Sequence, residues 1–280
     1  PVIQSSAPSL LLDQYGDDVL AAYSFRKLSS TYTGSAVRVR KVPTLTEQDI
    51  GFDSDGNLDT AALTSFLGTD DGFISVWYDQ SGNGRNGTQV NAARQIRIAT
   101  AGVIVTKNSL PTTQGGNNDA LIISGIPLTA QPITSFEVYA HNTATGSGNA
   151  QTFAGYSVYP PNGNFIVNRT HRFVKFGVIT NDGTGQSSCF SPNNTNTDLH
   201  VITRMIDGSS SVLRLDQSAE TLNNTPQSGA KIGGANQDRI GETNTNSYNG
   251  NLSEVIVFAA DKTSDFTGIE EDMKTYYSTP

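Results

Sequence analysis

The chain has 280 residues, enough for one large domain or two small ones around a substantial buried core. Its net charge of −8 and pI near 4.8, with no basic run, exclude nucleic acid and anionic membrane surfaces, because both need a cationic face. Only 16% of residues are charged and 36% hydrophobic, and glycine, serine, threonine and asparagine abound, which fits short strands joined by polar turns and so an all-β sandwich.

Cys189 is the single cysteine, so no intrachain disulfide can form. No apolar run approaches the roughly 20 residues of a membrane span, so no membrane insertion is expected. The stretch Pro1 to Gln14 lacks the charged and apolar regions of a signal peptide, which predicts a soluble chain made in a reducing compartment. Residues 1–16 are expected to form an arm, and residues 17–280 a single domain. The cluster Leu10-Leu11-Leu12 would dock either on a neighbour or on its own domain.

Asp17 is placed to cap a short helix over VLAAYSFRKL, where Val19, Leu20 and Tyr23 recur at helical spacing. The alternation of Tyr23 and Phe25 leaves a strand as the other reading. Ser35 to Val42 alternates cleanly, with Val37 and Val39 facing one way and Arg38 and Arg40 forming a wet face. Asp53-Ser54-Asp55-Gly56-Asn57 reads as a turn, and Asp59 as the cap of a helix closed by Gly68.

The stretch Asp71 to Gln89 organises the rest. Phe73 to Tyr78 reads as a buried strand, with Trp77 between the two sheets. It runs straight into the glycine-spaced loop Asp79-Gln80-Ser81-Gly82-Asn83-Gly84. A core strand feeding such a loop holds it rigidly, which makes Tyr78, Asp79, Gln80, Asn83 and Arg85 candidate carbohydrate-binding residues. The plainer alternative is that Asp79 and Asn83 only hydrogen-bond nearby backbone. Asp79, Ser81 and Asn83 also place oxygens at alternate positions before Gly84, part of a calcium-loop pattern. They are the candidate metal ligands, and calcium the one candidate cofactor.

Beyond the motif, Arg97 to Lys107 reads as strand, turn and strand, and 108–119 as a long loop. Further strands are expected at Ala120 to Ile123, Ile133 to Ala140, Gln151 to Tyr159, Asn164 to Asn168 and Arg172 to Thr180. Leu199 to Ile206 and Val212 to Leu215 flank the hairpin dipeptide Asp207-Gly208. Arg239 to Glu242 and Leu252 to Phe258 are the last expected strands. Phe266, Ile269, Met273 and Tyr276 or Tyr277 then share a helical face. His141, His171 and His200 have no spacing that suggests zinc.

Two blocks carry a resemblance. One runs from AAYSFRKLSSTYTGSAVRVRK to DGFISVWYDQSGNGRNGTQ, and the other is RIGETNTNSYNGNLSEVIVFAADKTSDFTGIEEDMKTYY. Together they resemble the concanavalin A-like jelly-roll superfamily. The first block looks most like the catalytic domain of the α-L-arabinofuranosidase B family, which has a similar YDQSGNG loop after an aliphatic strand. Similar blocks occur in virion proteins of bacteriophages. The resemblance implies a jelly-roll β-sandwich of two antiparallel sheets with a few short helices. For hydrolysis it implies two carboxylates about 5 Å apart, a glutamate on a mid-chain strand and an aspartate after a C-terminal glycine-rich turn. Here the strand Arg172 to Thr180 has no carboxylate and Asp182 lies beyond its end, while Arg239-Ile240-Gly241-Glu242-Thr243 stands at the C-terminal position. Asp182 and Glu242 therefore join the candidate carbohydrate-binding residues, and no residue is assigned a catalytic role.

The expectation that follows is a non-catalytic structural protein of a tailed phage virion, as a tail, fibre or capsid-decorating subunit. Its partners would be other virion proteins or copies of itself, with no nucleic acid. A host-surface glycan would meet the polar loops at 108–119, 142–150 and 181–198. The alternatives are a glycoside hydrolase of the α-L-arabinofuranosidase type and a free carbohydrate-binding lectin.

Overall fold

The structure, a computed structural model, describes residues 9–116, 118–127, 129–142, 150–156, 164–171, 175–191, 196–230, 232, 238–241 and 250–280. Two antiparallel sheets face each other, as the all-β reading expects. The smaller runs, in spatial order, Val19–Ser24, Gly250–Phe258, Ile133–His141, His200–Ile206, Val212–Leu215 and Ser218–Glu220. The larger runs Gln186–Phe190, Lys175–Asp182, Asn164–His171, Ala150–Tyr156, Asp238–Gly241, Ala120–Ile123, Gly87–Thr88, Asp71–Trp77, Val37–Val42 and Glu47–Ile50. A branch, Ile96–Thr100 followed by Val103–Ile104, pairs off Asp71–Trp77.

Strand alternation decides which core each residue enters. Tyr23, Ile74, Trp77, Tyr139, Val255 and Val257 fill the space between the sheets. Their neighbours Ala22, Phe136, Val138, Ile256 and Phe258 point outward, onto a helix rather than into water. That helix, α3 (Phe266–Tyr277; α1 is Leu11–Tyr15 and α2 Thr60–Leu67), presents Phe266, Ile269, Met273 and Tyr277 at the predicted spacing. The strand Gly250–Phe258 is consequently buried on both faces. Trp77 is fully buried, stacked on Phe25 with ring centroids 4.8 Å apart.

The local signals at α2 hold. Asp59 accepts a hydrogen bond from the Ala62 amide at 2.8 Å, and Gly68, at φ 61°, closes the helix with its N–H on the Thr64 carbonyl. In the turn before it, Asp53 Oδ1 accepts from the amides of Asp55 and Asn57, each at 2.9 Å.

Three expectations need correction. The segment after Asp17 is the strand Val19–Ser24, not a helix, because its alternate residues serve two apolar layers at once. The face with Arg38 and Arg40 is only partly wet. Arg38 pairs with Asp49 at 2.7 Å, but Arg40 is covered, lying 5.2 Å from the Phe73 ring centroid and donating to Gln95 Oε1. The arm is, from residue 11, part of the domain. Leu11 and Leu12 are buried against Leu28 and α3, so the leucines dock on their own chain. Residues 1–8 lie outside the described residues.

Candidate functional site: a carboxylate cleft and a structural clasp

The DQSGNG loop is built as a clasp. Asp79 is 3% exposed, and its Oδ1 accepts from the amides of Ala22 and Ser81, both at 2.9 Å. Its Oδ2 accepts from Ser81 Oγ at 2.8 Å and the Arg85 amide at 2.9 Å. Gln80 is equally buried: Oε1 accepts from the Leu28 amide, and Nε2 donates to the carbonyls of Ser24 and Arg26. The Asn83 amide donates to the carbonyls of Val19 and Leu20, and the Arg85 guanidinium to those of Leu20 and Gly125. All four side chains fasten the loop, chiefly to the strand Val19–Ser24 and the chain that follows it.

This arrangement leaves few oxygens of the loop open to calcium. Four donors already occupy both oxygens of Asp79, and Asn83 turns its amide nitrogen toward carbonyls. Among the described residues no group of three or more His, Cys, Asp or Glu side chains is arranged to hold a metal.

The remaining predicted residues do not join the clasp. Tyr78 points to the surface network, where its hydroxyl donates to Asp49 Oδ1 at 2.7 Å; burial and Asp49 push its pKa up to about 12. Asp182 caps its own turn, accepting from the Thr184 and Gly185 amides and from Thr184 Oγ1; these bonds hold its carboxyl below the usual range. Five strands lie between its strand and Asp71–Trp77 in the sheet. Glu242 lies outside the described residues, as do 143–149 and 192–195 of the polar loops.

Sequence reasoning missed a cleft of about 460 Å³, lined by Phe73, Gln95, Arg97, Gln114, Gly116 and Asp119. Its volume lies within the range of a small-molecule site. The expected loop at 108–119 opens with a short strand, Leu110–Pro111, paired to Thr106–Lys107; the chain after it brings Gln114 and Asp119, and Arg97 comes from the branch strand. Asp119 Oδ2 accepts from the Gly116 amide at 2.7 Å. Burial raises the Asp119 carboxyl above its ordinary value, against the opposing pull of the Gly116 amide and Arg97. Asp71 goes the other way: the Ala101 amide at 2.8 Å and Arg97 Nη1 at 2.7 Å hold it low. The Arg97 guanidinium also lies 4.6 Å from the Phe73 ring centroid.

The C-terminal glycine motif borders this cleft. Gly241 pairs with Ala120 at φ 86°, and a Cβ there would collide with the Asp119 carbonyl oxygen. The Gly115 amide donates to the Gly250 carbonyl at 2.9 Å. The central strand and the C-terminal strands, far apart in sequence, thus meet at Asp119.

No family model matches the chain, and no curated protein matches it by sequence. Its backbone does match solved structures. An arabinofuranosidase complexed with arabinofuranosyl-α-1,2-xylobiose aligns with 93% of this chain and 63% of its own, at 13% identity and a TM-score of 0.63. A mutant GH54 α-L-arabinofuranosidase soaked with 4-nitrophenyl α-L-arabinofuranoside aligns over the same shares, at 15% identity and a TM-score of 0.62. A third, soaked with a cyclic sulfate inhibitor, gives 13% identity and a TM-score of 0.58 over the same shares. The chain spans about 63% of the length of these proteins.

This likeness establishes the β-sandwich fold and gives no support to a virion role. It also corrects the expectation of a non-catalytic protein, because the three solved structures named above are arabinofuranosidases. That expectation rested on carboxylates missing from two sequence positions. Other loops can bring carboxylates into a cleft, and the loop ending at Asp119 brings one.

Proposed function

We propose that this domain is a glycoside hydrolase of the α-L-arabinofuranosidase type, acting on neutral arabinofuranosyl groups. The observation that carries the reading is the backbone match to arabinofuranosidases over 93% of the chain. The net charge of −8 agrees with it, since a neutral sugar needs no cationic face.

The test is release of 4-nitrophenol from 4-nitrophenyl α-L-arabinofuranoside, together with release of arabinose from arabinoxylan. The expected result is saturable turnover on at least one of them. If neither is cleaved above the buffer rate between pH 4 and 8, on a protein of intact β circular dichroism, the hydrolase reading fails.

A further inference from the structure

We infer that the cleft of Phe73, Arg97, Gln114 and Asp119 is the sugar-binding site of this domain, with Asp119 as its proton donor. The inference rests on the hydrolase reading above and gives that reading a place in the fold.

Three observations place it there. First, the cleft holds groups that are not used up by the fold. Asp119 Oδ1 takes no hydrogen bond from the described residues. Arg97 spends only Nη1, on Asp71 and Thr100, and the exposed side chain of Gln114 has no hydrogen-bonding partner among the described residues. An acceptor, a guanidinium edge and an amide around one hollow match the alternating donors and acceptors of neighbouring sugar hydroxyls. The clasp offers no such free groups, since Asp79, Gln80 and Asn83 are tied to backbone.

Second, the two carboxylates that Arg97 influences are held in opposite senses. Asp71 bonds Arg97 directly and is held below its ordinary value, while the half-buried Asp119 carboxyl is raised above its own. Asp119 is the carboxyl that lines the cleft, and a raised carboxyl suits proton donation. Third, Gly241 has no side chain where one would strike Asp119, so the C-terminal strand is shaped to the cleft wall.

In the reaction, Asp119 gives its proton to the glycosidic oxygen as the bond from that oxygen to the anomeric carbon breaks. The electron pair leaves on the oxygen, so the aglycone departs as an alcohol. Water supplies a hydroxyl to the anomeric carbon and returns a proton to Asp119. Arg97 is a positioning residue, since it orients Asp71 and the sugar.

The test uses the full chain and the variants Asp119→Asn and Gln114→Ala. Asp119→Asn should fold, because a neutral amide removes a half-buried charge while its oxygen keeps the Gly116 bond. Its hydrolysis of an alkyl arabinofuranoside should fall about 10²–10⁴-fold. With 2,4-dinitrophenyl arabinofuranoside, whose leaving group needs no proton, the deficit should shrink to less than about tenfold. Gln114→Ala should weaken binding of arabinofuranosyl-xylobiose about three- to tenfold by calorimetry. Equal losses on both glycosides, or wild-type rates in Asp119→Asn, overturn the proton-donor role while the hydrolase reading stands. Binding that neither substitution changes overturns the site. A wild-type chain that binds the oligosaccharide through Gln114 and cleaves nothing refutes the hydrolase reading and keeps the cleft as a sugar site.

Discussion

Asp79 accepts four hydrogen bonds in a place that water does not reach, and three of them come from backbone amides. Removing its carboxylate leaves buried donors without partners, and each such group costs on the order of 1–3 kcal/mol. Asp79→Ala should therefore destabilise the domain by about 3 kcal/mol, read as a lower urea midpoint at unchanged slope. Calcium should shift neither protein's melting temperature. A thermal shift with calcium that is lost in Asp79→Ala would restore the metal reading. The motif is thus specific because a tight loop must be fastened to a core strand. That demand by itself can make the run conspicuous in the sequence.

At the scale of elements, α3 is fastened by an ion pair as well as by its apolar face. Glu254, fully buried, accepts from Arg26 Nε at 2.8 Å, Ser24 Oγ at 2.7 Å and the Tyr277 hydroxyl at 3.0 Å. Arg26 reaches on to Asp272 of α3 at 2.6 Å and lies 4.7 Å from the Tyr276 ring centroid. The group joins the two neighbouring strands Val19–Ser24 and Gly250–Phe258 to the helix above them. Glu254→Ala strands a buried guanidinium, so the expected cost is about 3–5 kcal/mol. Unfolding in guanidinium chloride measures it, and a cost below about 1 kcal/mol would show the pair to be dispensable. A second such pair, Arg204 with Glu137 at 2.8 Å, lies wholly buried, and Arg204 Nε donates to the Gly177 carbonyl on the opposite sheet.

At the scale of the whole molecule, pH sums over groups in different parts of the fold. His141 is buried against Phe176, their ring centroids 5.5 Å apart, and burial first, then His200, lowers its pKa from 6.5 to about 4. The folded protein therefore binds this proton less readily than the unfolded chain does, and stability falls as pH drops from 6.5 toward 4. The size of that loss is roughly 3 kcal/mol. Asp49 and Asp71, held low by their hydrogen bonds, add stability above their unfolded values that is lost only below about pH 4. The urea midpoint should fall in two stages on acidification, and His141→Phe should flatten the first stage alone. A midpoint indifferent to His141→Phe between pH 6.5 and 4 would show that this histidine is not buried in its neutral form.

Residue order alone determined the all-β class, the capped helix α2, the amphipathic face of α3 and the burial of Trp77. Each follows from a local period or from a cap within a few residues, and such signals survive without knowledge of the partner. The strand at Val19–Ser24 was ambiguous because a segment apolar on both faces has no single period, and only the second layer under α3 resolves it. The clasp was visible as a motif, but its role was not, since Asp79 serves as a fastener only because the Ala22 amide arrives from 57 residues away. The cleft left still less trace. Arg97, Gln114 and Asp119 follow no periodic pattern, and what raises the Asp119 carboxyl is burial that the fold supplies, against the Gly116 amide and the Arg97 charge. Protonation state depends on the surrounding dielectric and nearby charges, and these exist only once the strands have packed.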